Sequence, residues 1–227
     1  MPENQEEWDN MHIMFATSKG NIRRNDLSDF KKIQSNGKIA IRLDEDDSLV
    51  NVMACSEDDH ILLASRQGKA VRFPVNAVRV FRSRTSDGVR GMKLADGDKV
   101  ISMTILHGIK ASMEEREAYL TIPVEKRLDI AKDNQEFTPE ELGVSLSKEQ
   151  IIELAKAEEF ILTISENGFG KRTSAYHYRI TNRGGSGIVN MVLSAKTGNV
   201  VASMPANTND EIMLITNNGK LIRCKLD

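Results

Sequence analysis

Apolar and polar residues alternate along most of the chain, with a glycine-containing turn after each of several short apolar runs. The full pattern occurs four times, as an apolar run, a turn with one glycine, and a second apolar run that ends in a cation. Alternation on both sides of a short glycine turn predicts a β-hairpin. We interpret the turn glycines, Gly20, Gly68, Gly168 and Gly219, as positions that need a positive φ.

Two more strands follow the hairpin in three of the copies. An alternating run after a second glycine predicts the third strand, and a short apolar run predicts the fourth. Third strands are predicted at residues 37–43, 88–94 and 187–193, and fourth strands at 49–53, 100–105 and 200–204. The repeat is therefore four strands in about fifty residues. The predicted units are 13–55, 56–107 and 159–206, followed by the first hairpin of a truncated unit at 207–227.

The segment from residue 108 to residue 158 has a different pattern, because its apolar residues recur at the spacing of a helix. One candidate helix covers residues 123–133, an N-cap signal lies at Thr138, and a capping box begins at Ser147. These signals predict a small helical insertion between the second and third units. Residues 1–12 are acidic and show no apolar periodicity, so we interpret them as a linker or stub.

Four-stranded units of this length are typical of propellers, whose blades pack face to face around an axis. A single blade cannot bury both of its faces, so neighbouring repeats must pack on one another. The sequence therefore predicts an all-β, propeller-like array of about three and a half four-stranded blades with a small α-helical insertion. The 227 residues are 40% hydrophobic, which is enough apolar content for such a core.

The charged residues are distributed unevenly between the repeats and the other segments. The formal net charge is only −2, but residues 108–160 alone carry a net −6, and residues 1–10 contain four acids and no base. The rest of the chain, which holds the predicted repeats, carries a net +8. A basic scaffold with acidic appendages favours a polyanionic partner for the repeats.

Six short segments of the repeats match one known family when they are taken together. They are residues 15–20, 37–43, 68–73, 88–94, 97–100 and 167–173. With them the chain resembles the C-terminal domain of the A subunit of bacterial DNA gyrase. The resemblance implies a β-pinwheel, a propeller-like disc whose blades exchange strands with their neighbours and whose basic rim wraps double-stranded DNA.

The resemblance also implies partners and an activity for a whole protein of this family. The implied partners are double-stranded DNA and, in an A2B2 holoenzyme, the gyrase B subunits with a second A subunit. That holoenzyme is a type II topoisomerase, which uses ATP and Mg bound on other domains to introduce negative supercoils. For the region present in this chain, the resemblance implies no catalysis and no cofactor.

The diagnostic box of the gyrase family, Gln-Arg-Arg-Gly-Gly-Lys-Gly, has no copy in this sequence. Its nearest match is Asn-Arg-Gly-Gly-Ser-Gly at residues 182–187. Two alternatives therefore stay open beside a gyrase domain. One is the related A subunit of topoisomerase IV, and the other is a propeller-type module that binds proteins, for which the basic repeats would be incidental.

DNA wrapping needs cations at intervals that follow the phosphates of a curved duplex, and it needs no base-reading side chains. Cations recur at the second strand of each hairpin and in the connections between second and third strands. The predicted DNA-contacting residues are Arg24, Arg72, Lys171, Arg172 and Arg223 at the strands, and Lys31, Lys32, Arg79, Arg82, Arg84, Arg179 and Arg183 in the connections. The alternative is that these charges only protect strand edges from pairing.

Motifs for catalysis and metal binding are lacking in the sequence. The four histidines lie far apart, and no nucleophile elbow or P-loop occurs. Two distant cysteines predict free thiols in a reducing compartment. No apolar run is long enough to span a bilayer, and the acidic start does not resemble a signal peptide. We therefore expect a cytoplasmic, non-catalytic region that has no metal, no cofactor and no membrane contact.

Overall fold

The computed structural model describes residues 3–83, 86–132, 136–207 and 209–226. Its strands are β1 (His12–Thr17), β2 (Asn21–Asp26), β3 (Leu49–Cys55), β4 (His60–Ser65), β5 (Lys69–Pro74), β6 (Val89–Arg90), β7 (Val100–Leu106), β8 (Phe160–Ser165), β9 (Gly170–Ser174), β10 (Ile188–Val189), β11 (Val200–Pro205), β12 (Glu211–Ile215) and β13 (Leu221–Lys225). Its α-helices are α1 (Met113–Leu120), α2 (Val124–Ala131), α3 (Pro139–Leu142) and α4 (Lys148–Lys156). Single 3-10 turns lie at Glu7–Asn10, Leu27–Phe30, Val75–Ala77 and Ala175–His177.

All four predicted hairpins are present as antiparallel pairs. The pairs are β1 with β2, β4 with β5, β8 with β9, and β12 with β13. The turn glycines have φ values of +83° at Gly20, +79° at Gly68, +79° at Gly168 and +75° at Gly219. Their interpretation as positions that need a positive φ is confirmed.

The third strands of the second and third repeats pair with the preceding repeat and not with their own. Strand β6 joins β2 in a sheet of order β3-β1-β2-β6, and β10 joins β5 in a sheet of order β10-β5-β4-β7. These exchanged strands are only two residues long in each case. The strand exchange implied by the family resemblance is therefore confirmed, while the longer third strands predicted from the alternation are wrong.

Residues 37–43 form no strand, which corrects the prediction for the first repeat. The exchange explains the difference, because a third strand needs the edge of a preceding repeat. The described residues hold no repeat before β1, and residues 37–43 pair with no described strand. The sheet of the third repeat has the order β11-β8-β9, and no other strand of the described residues joins the outer edge of β9.

The apolar core lies between neighbouring repeats, as expected for stacked blades. Between the first and second repeats it includes Met14, Ile22 and Leu63, which are each 0% exposed. A second cluster joins the second and third repeats, and a third cluster joins β8 to the β12–β13 hairpin. Each fully buried side chain of this size contributes about 1.5–3 kcal/mol, so the repeats are held mainly by their contact with one another.

The helices lie between β7 and β8 and pack on the third repeat. The capping signals at Thr138 and Ser147 are confirmed, because each side chain accepts the backbone N–H of the residue three positions later. The ring of Tyr119 on α1 meets Tyr176 edge-on at 5.7 Å between centroids, which joins the insertion to the turn at Ala175–His177. Among the residues described, no helix has the length and apolar character needed to cross a membrane.

Candidate nucleic-acid interface

Two of the predicted DNA-contacting residues, Arg24 and Arg72, lie inside the protein. They are 4% and 1% exposed, respectively. Each stands on the second strand of its hairpin, four residues after the turn glycine, and points into the contact with the next repeat. A phosphate cannot reach a guanidinium at this depth while the repeats stay packed. The prediction that Arg24 and Arg72 contact DNA is therefore wrong.

These arginines instead connect one repeat to the next. In three repeats, Nη1 of the arginine four residues after the turn glycine donates to a backbone carbonyl of the following repeat. That carbonyl belongs to the residue seven positions after the turn glycine of the following repeat. The bonds run from Arg24 to Val75 (3.1 Å), from Arg72 to Ala175 (2.8 Å) and from Arg172 to Leu226. We call Arg24, Arg72 and Arg172 the inter-repeat arginines.

The residue eight positions before each turn glycine contacts the same arginine. The pairs are His12 with Arg24 (2.9 Å), His60 with Arg72 (3.0 Å), Phe160 with Arg172 (4.9 Å from the guanidinium carbon to the ring centroid) and Glu211 with Arg223. Arg172 is partly buried by these contacts, so its guanidinium is engaged within the protein. Arg223 is exposed and forms an ion pair with Glu211.

The imidazole of His60 must be neutral to take part in this arrangement. Its Nδ1 accepts from Nε and Nη2 of Arg72, at 3.2 and 3.0 Å. Burial, followed by the positive charges of Arg72 and Arg116, lowers the pKa of His60 to about 4. A protonated Nδ1 would lose both hydrogen bonds and face a guanidinium, so protonation and the inter-repeat contact exclude each other.

This pKa predicts a specific loss of stability in mild acid. The unfolded chain, in which histidine has a pKa near 6.5, binds more protons than the folded chain between pH 6.5 and 4. The contribution of His60 is therefore fully present above pH 6.5 and is lost as pH falls towards 4. We expect urea unfolding midpoints to fall over this window, and to fall less in His60→Gln. Equal pH dependence of the two proteins would contradict the expectation.

Several exposed cations lie where a loop of the third repeat contacts the second repeat. Arg183 is exposed, and its Nε and Nη1 donate to the carbonyl oxygens of Ala77 and Arg90, at 2.9 and 3.1 Å. Arg79 is two residues from Ala77, and its guanidinium lies 4.1 Å from the ring centroid of Phe81. The connections of two repeats therefore present their cations side by side.

The backbone of residues 182–187 lies directly along residues 90–93. Gly184 N–H donates to the carbonyl of Gly91 at 2.6 Å, and Lys93 N–H donates to the carbonyl of Gly185 at 2.9 Å. Gly184 has a φ of +81°, a conformation that favours glycine. This path brings Arg183 to Arg90 and Lys93. We define the basic surface as the five exposed residues Arg79, Arg82, Arg90, Lys93 and Arg183.

Arg90 and Lys93 were missed in the sequence analysis. Both lie in residues 88–94, where alternation predicted only an ordinary third strand, although the strand that forms is Val89–Arg90. The available signal was that this segment carries two cations, whereas residues 187–193 of the next repeat carry none. The pattern gave no indication that the loop at 182–187 would lie against them, because that contact joins two repeats.

A groove with a volume of about 290 Å³ adjoins the same loop. Its lining includes Arg179, Thr181, Asn182 and Ser186. The lining therefore offers a cation, two hydroxyls and an amide, which are the side chains that commonly contact phosphate and sugar. Of the predicted residues in the connections, Arg79, Arg179 and Arg183 lie in this part of the molecule. Arg82 is exposed and directly follows Phe81, whose ring Arg79 contacts.

The other predicted cations are separate from the basic surface. Lys31 is paired with Asp9 at 2.7 Å and is partly buried, while Lys32 and Lys171 are exposed. The contacts of the described residues do not join these three lysines to the basic surface. Arg84 lies outside the described residues.

A model of the family described as "DNA gyrase C-terminal domain, beta-propeller" matches residues 12–56, 59–107, 159–207 and 210–227. The matched ranges contain all four hairpins and omit the helical insertion. The chain belongs to the DNA gyrase A C-terminal domain family. The matched ranges include the inter-repeat arginines and both exchanged strands.

Relatives within the gyrase family extend along the whole chain. It is 69% identical over 227 residues to the DNA gyrase A subunit of Rickettsia bellii (strain RML369-C), covering 100% of this chain and 25% of that protein. It is 45% identical over 240 aligned residues to the DNA gyrase A subunit of Granulibacter bethesdensis, covering 100% of this chain and 26% of that protein. The chain therefore spans about a quarter of the length of these curated relatives.

Solved structures with the same fold include a crystal structure of the C-terminal domain of DNA topoisomerase IV. Its TM-score is 0.68 at 19% identity, covering 96% of this chain and 53% of that one. The structure of a DNA gyrase A C-terminal domain has a TM-score of 0.64 at 23% identity, covering 96% of this chain and 56% of that chain. Likeness at these identities concerns the fold, and it confirms the propeller-like array.

Proposed function

We propose that this chain binds duplex DNA with little regard to base sequence and bends it along the basic surface. The observation that carries the proposal is the gathering of five exposed cations from two repeats beside a groove lined with polar groups. Cations and neutral donors at a surface of this kind position phosphates without reading bases. Membership of the gyrase A C-terminal domain family supports DNA as the polyanion.

Bending requires several contacts acting together. A smooth bend in 20–30 base pairs costs on the order of 1–6 kcal/mol, which phosphate contacts made only by the bent duplex must offset. Corresponding arginine hydrogen bonds join three successive pairs of neighbouring repeats. We expect an array joined in this way to hold its cations along a curve, which is the geometry a bent duplex needs.

In the whole A chain of a gyrase, the wrapped segment would be presented for ATP-dependent strand passage and negative supercoiling. The partners in that proposal are a second A chain together with the B subunits, in the cytoplasm, with ATP and Mg on other domains. This region would contribute geometry and no catalytic residue. The 69% identity to a relative from gyrase favours gyrase over the topoisomerase IV alternative.

Arginine labelling with phenylglyoxal tests the proposed surface residue by residue. With a duplex of about 40 base pairs, long enough for one bent site, we expect protection of Arg79, Arg82, Arg90 and Arg183, read by mass spectrometry. Arg24 and Arg72 should react slowly with and without DNA, because both are buried. Unchanged labelling of the surface arginines in saturating DNA would contradict the proposal and would favour a protein-binding module.

A further inference from the structure

The connections of the second and third repeats follow the same path beside the preceding repeat. Each connection runs along the second strand of the preceding hairpin and forms a parallel bridge with it. Phe81 N–H donates to the carbonyl of Arg24 at 2.7 Å, and Thr181 N–H donates to the carbonyl of Arg72 at 2.8 Å. Phe81 and Thr181 therefore occupy equivalent positions at two junctions inside the array.

At the first junction, two buried polar side chains of the first repeat hold this connection. Arg23 and Asn25 are both 0% exposed. Nδ2 of Asn25 donates to the carbonyl of Phe81 at 2.6 Å, and Nη1 of Arg23 donates to the carbonyl of Ser86. Nε of Arg23 also donates to Oδ1 of Asn25 at 2.9 Å, which joins the two side chains. The first repeat therefore holds the connection of the second repeat at two separate points.

The ring of Phe81 links these buried side chains to the surface of the protein. Phe81 is 5% exposed, and the guanidinium carbons of Arg23 and Arg79 lie 5.3 and 4.1 Å from its ring centroid. Both distances fall within the roughly 6 Å over which an aromatic ring attracts a cation. Arg23 is buried, whereas Arg79 is exposed and belongs to the basic surface. The ring therefore connects a fixed interior residue to a surface cation.

The second junction has different residues at the same positions. Counted from the turn glycines, Val71 and Phe73 replace the buried arginine and asparagine, and Thr181 replaces the ring. Val71 and Thr181 line the groove of about 290 Å³, and Arg179 also lines it. Arg179 occupies the position that corresponds to Arg79. The exposed arginine of this connection therefore has a groove beside it, where Arg79 has an aromatic ring.

We propose that Phe81 is a positioning residue for DNA, which holds the Arg79 guanidinium where a backbone phosphate binds. Arg23 and Asn25 keep the ring in place, so the first repeat sets the geometry of a contact that the second repeat makes. The inference rests on the proposed DNA binding and divides the surface into two parts. Arg79 is ordered before DNA arrives, whereas Arg179 becomes ordered on binding. A side chain that is ordered in advance loses less conformational entropy when it binds.

A double-mutant cycle in duplex affinity tests this role. Phe81→Leu keeps an apolar side chain but removes the ring, and we expect it to weaken binding about three- to tenfold at fixed salt. In the Arg79→Gln background, the same substitution should change affinity by less than about twofold, because the guanidinium that the ring positions is already absent. Fluorescence anisotropy with a duplex of about 40 base pairs measures the affinity of each protein.

Two further measurements separate positioning from the loss of a charge. Phe81→Leu removes no cation, so its slope of log K against log salt should equal that of the original chain, while Arg79→Gln should have a slope shallower by about 0.9. In the absence of DNA, phenylglyoxal should label Arg79 more slowly than Arg179 in the original chain. Phe81→Leu should remove this difference in labelling rate.

Phe137→Leu is the matched control, because it removes a ring beside a cation in the helical insertion. Nζ of Lys148 lies 5.3 Å from the ring centroid of Phe137. This variant should bind duplex as the original chain does. Denaturant unfolding of every variant is measured in parallel, so that a loss of affinity is not mistaken for a loss of fold.

Several results would overturn the positioning role of Phe81. One is an unchanged affinity in Phe81→Leu, and another is an equal loss with and without Arg79, which would mean that the ring only supports the connection. Equal labelling of Arg79 and Arg179 in the original chain would mean that the ring does not hold the guanidinium. If the original chain binds no duplex, the proposed function fails and this inference fails with it. An additive cycle in a chain that binds duplex overturns this inference alone.

Discussion

Arg72→Met is expected to destabilise the chain by about 3 kcal/mol. The substitution keeps the apolar stem but removes the donors to the Ala175 carbonyl and to His60 Nδ1, at 2.8 and 3.0 Å. Hydrogen bonds from a charged donor contribute about 1.5–3 kcal/mol each, and a buried acceptor left unpaired adds its desolvation cost. Denaturant unfolding at pH 7.5 measures the change.

The free energy needed to bury the charge of Arg72 limits how much Arg72→Met can destabilise the chain. Burial and then the charge of Arg116 lower the pKa of Arg72 to about 10, so the guanidinium remains charged at neutral pH but is held at a cost. Removing it recovers part of that cost. Arg79→Met is the matched control, because Arg79 is exposed, and it should change stability by less than about 0.5 kcal/mol. Equal effects of the two substitutions would contradict the assignment of Arg72 to the repeat junction.

Glutamine at all five positions of the basic surface is expected to weaken duplex binding at least about a hundredfold in moderate salt. The change removes Arg79, Arg82, Arg90, Lys93 and Arg183 as phosphate partners while leaving the inter-repeat arginines in place. Fluorescence anisotropy with a labelled duplex measures the affinity. Unfolding of the variant must be measured in parallel, because Arg183 also donates to two carbonyls.

The matched control for this variant has the same change in net charge. Five exposed lysines of the insertion are changed to glutamine, namely Lys110, Lys126, Lys132, Lys148 and Lys156. Long-range attraction to DNA falls by a similar amount in both proteins, whereas direct phosphate contacts are lost only from the basic surface. We expect the control to bind within a few-fold of the original chain. An equal loss in both variants would mean that overall charge, and not this surface, determines binding.

The hairpins and the helical insertion could be predicted because their signals are local. A glycine turn between two alternating runs fixes a hairpin whatever lies around it. The capping boxes at Thr138 and Ser147 likewise act within a few residues. A third capping box, at Ser112 of α1, has the same local form and was missed. Local hydrogen bonding therefore accounts for the parts of the fold that the pattern specifies.

The pairing of the third strands could not be derived from alternation alone. An alternating run such as residues 88–94 can pair with its own repeat or with the preceding one, and only packing between repeats decides which pairing forms. The family resemblance supplied the exchange, and the sheet orders confirm it. Segments of this kind also depend on a partner, which is why residues 37–43 are not a strand here.

The strand arginines show where a charge pattern misled the prediction. A cation that recurs at one position in each repeat fits a DNA rim, but it fits a repeated internal contact equally well. The sequence held a signal for the second interpretation, because His12 and His60 precede their turn glycines by the same interval and face Arg24 and Arg72 across the hairpin. The basic surface was less accessible to sequence analysis, since it depends on a loop of one repeat lying on another.

The salt dependence of duplex binding tests the central claim most directly. Affinity is measured for the original chain and the five-glutamine variant between about 50 and 200 mM salt. Each phosphate contact contributes about 0.9 to the slope of log K against log salt, so the variant should have a slope shallower by about 4 to 5 units. Equal slopes for the two proteins would contradict the account, because the basic surface would then make no phosphate contacts.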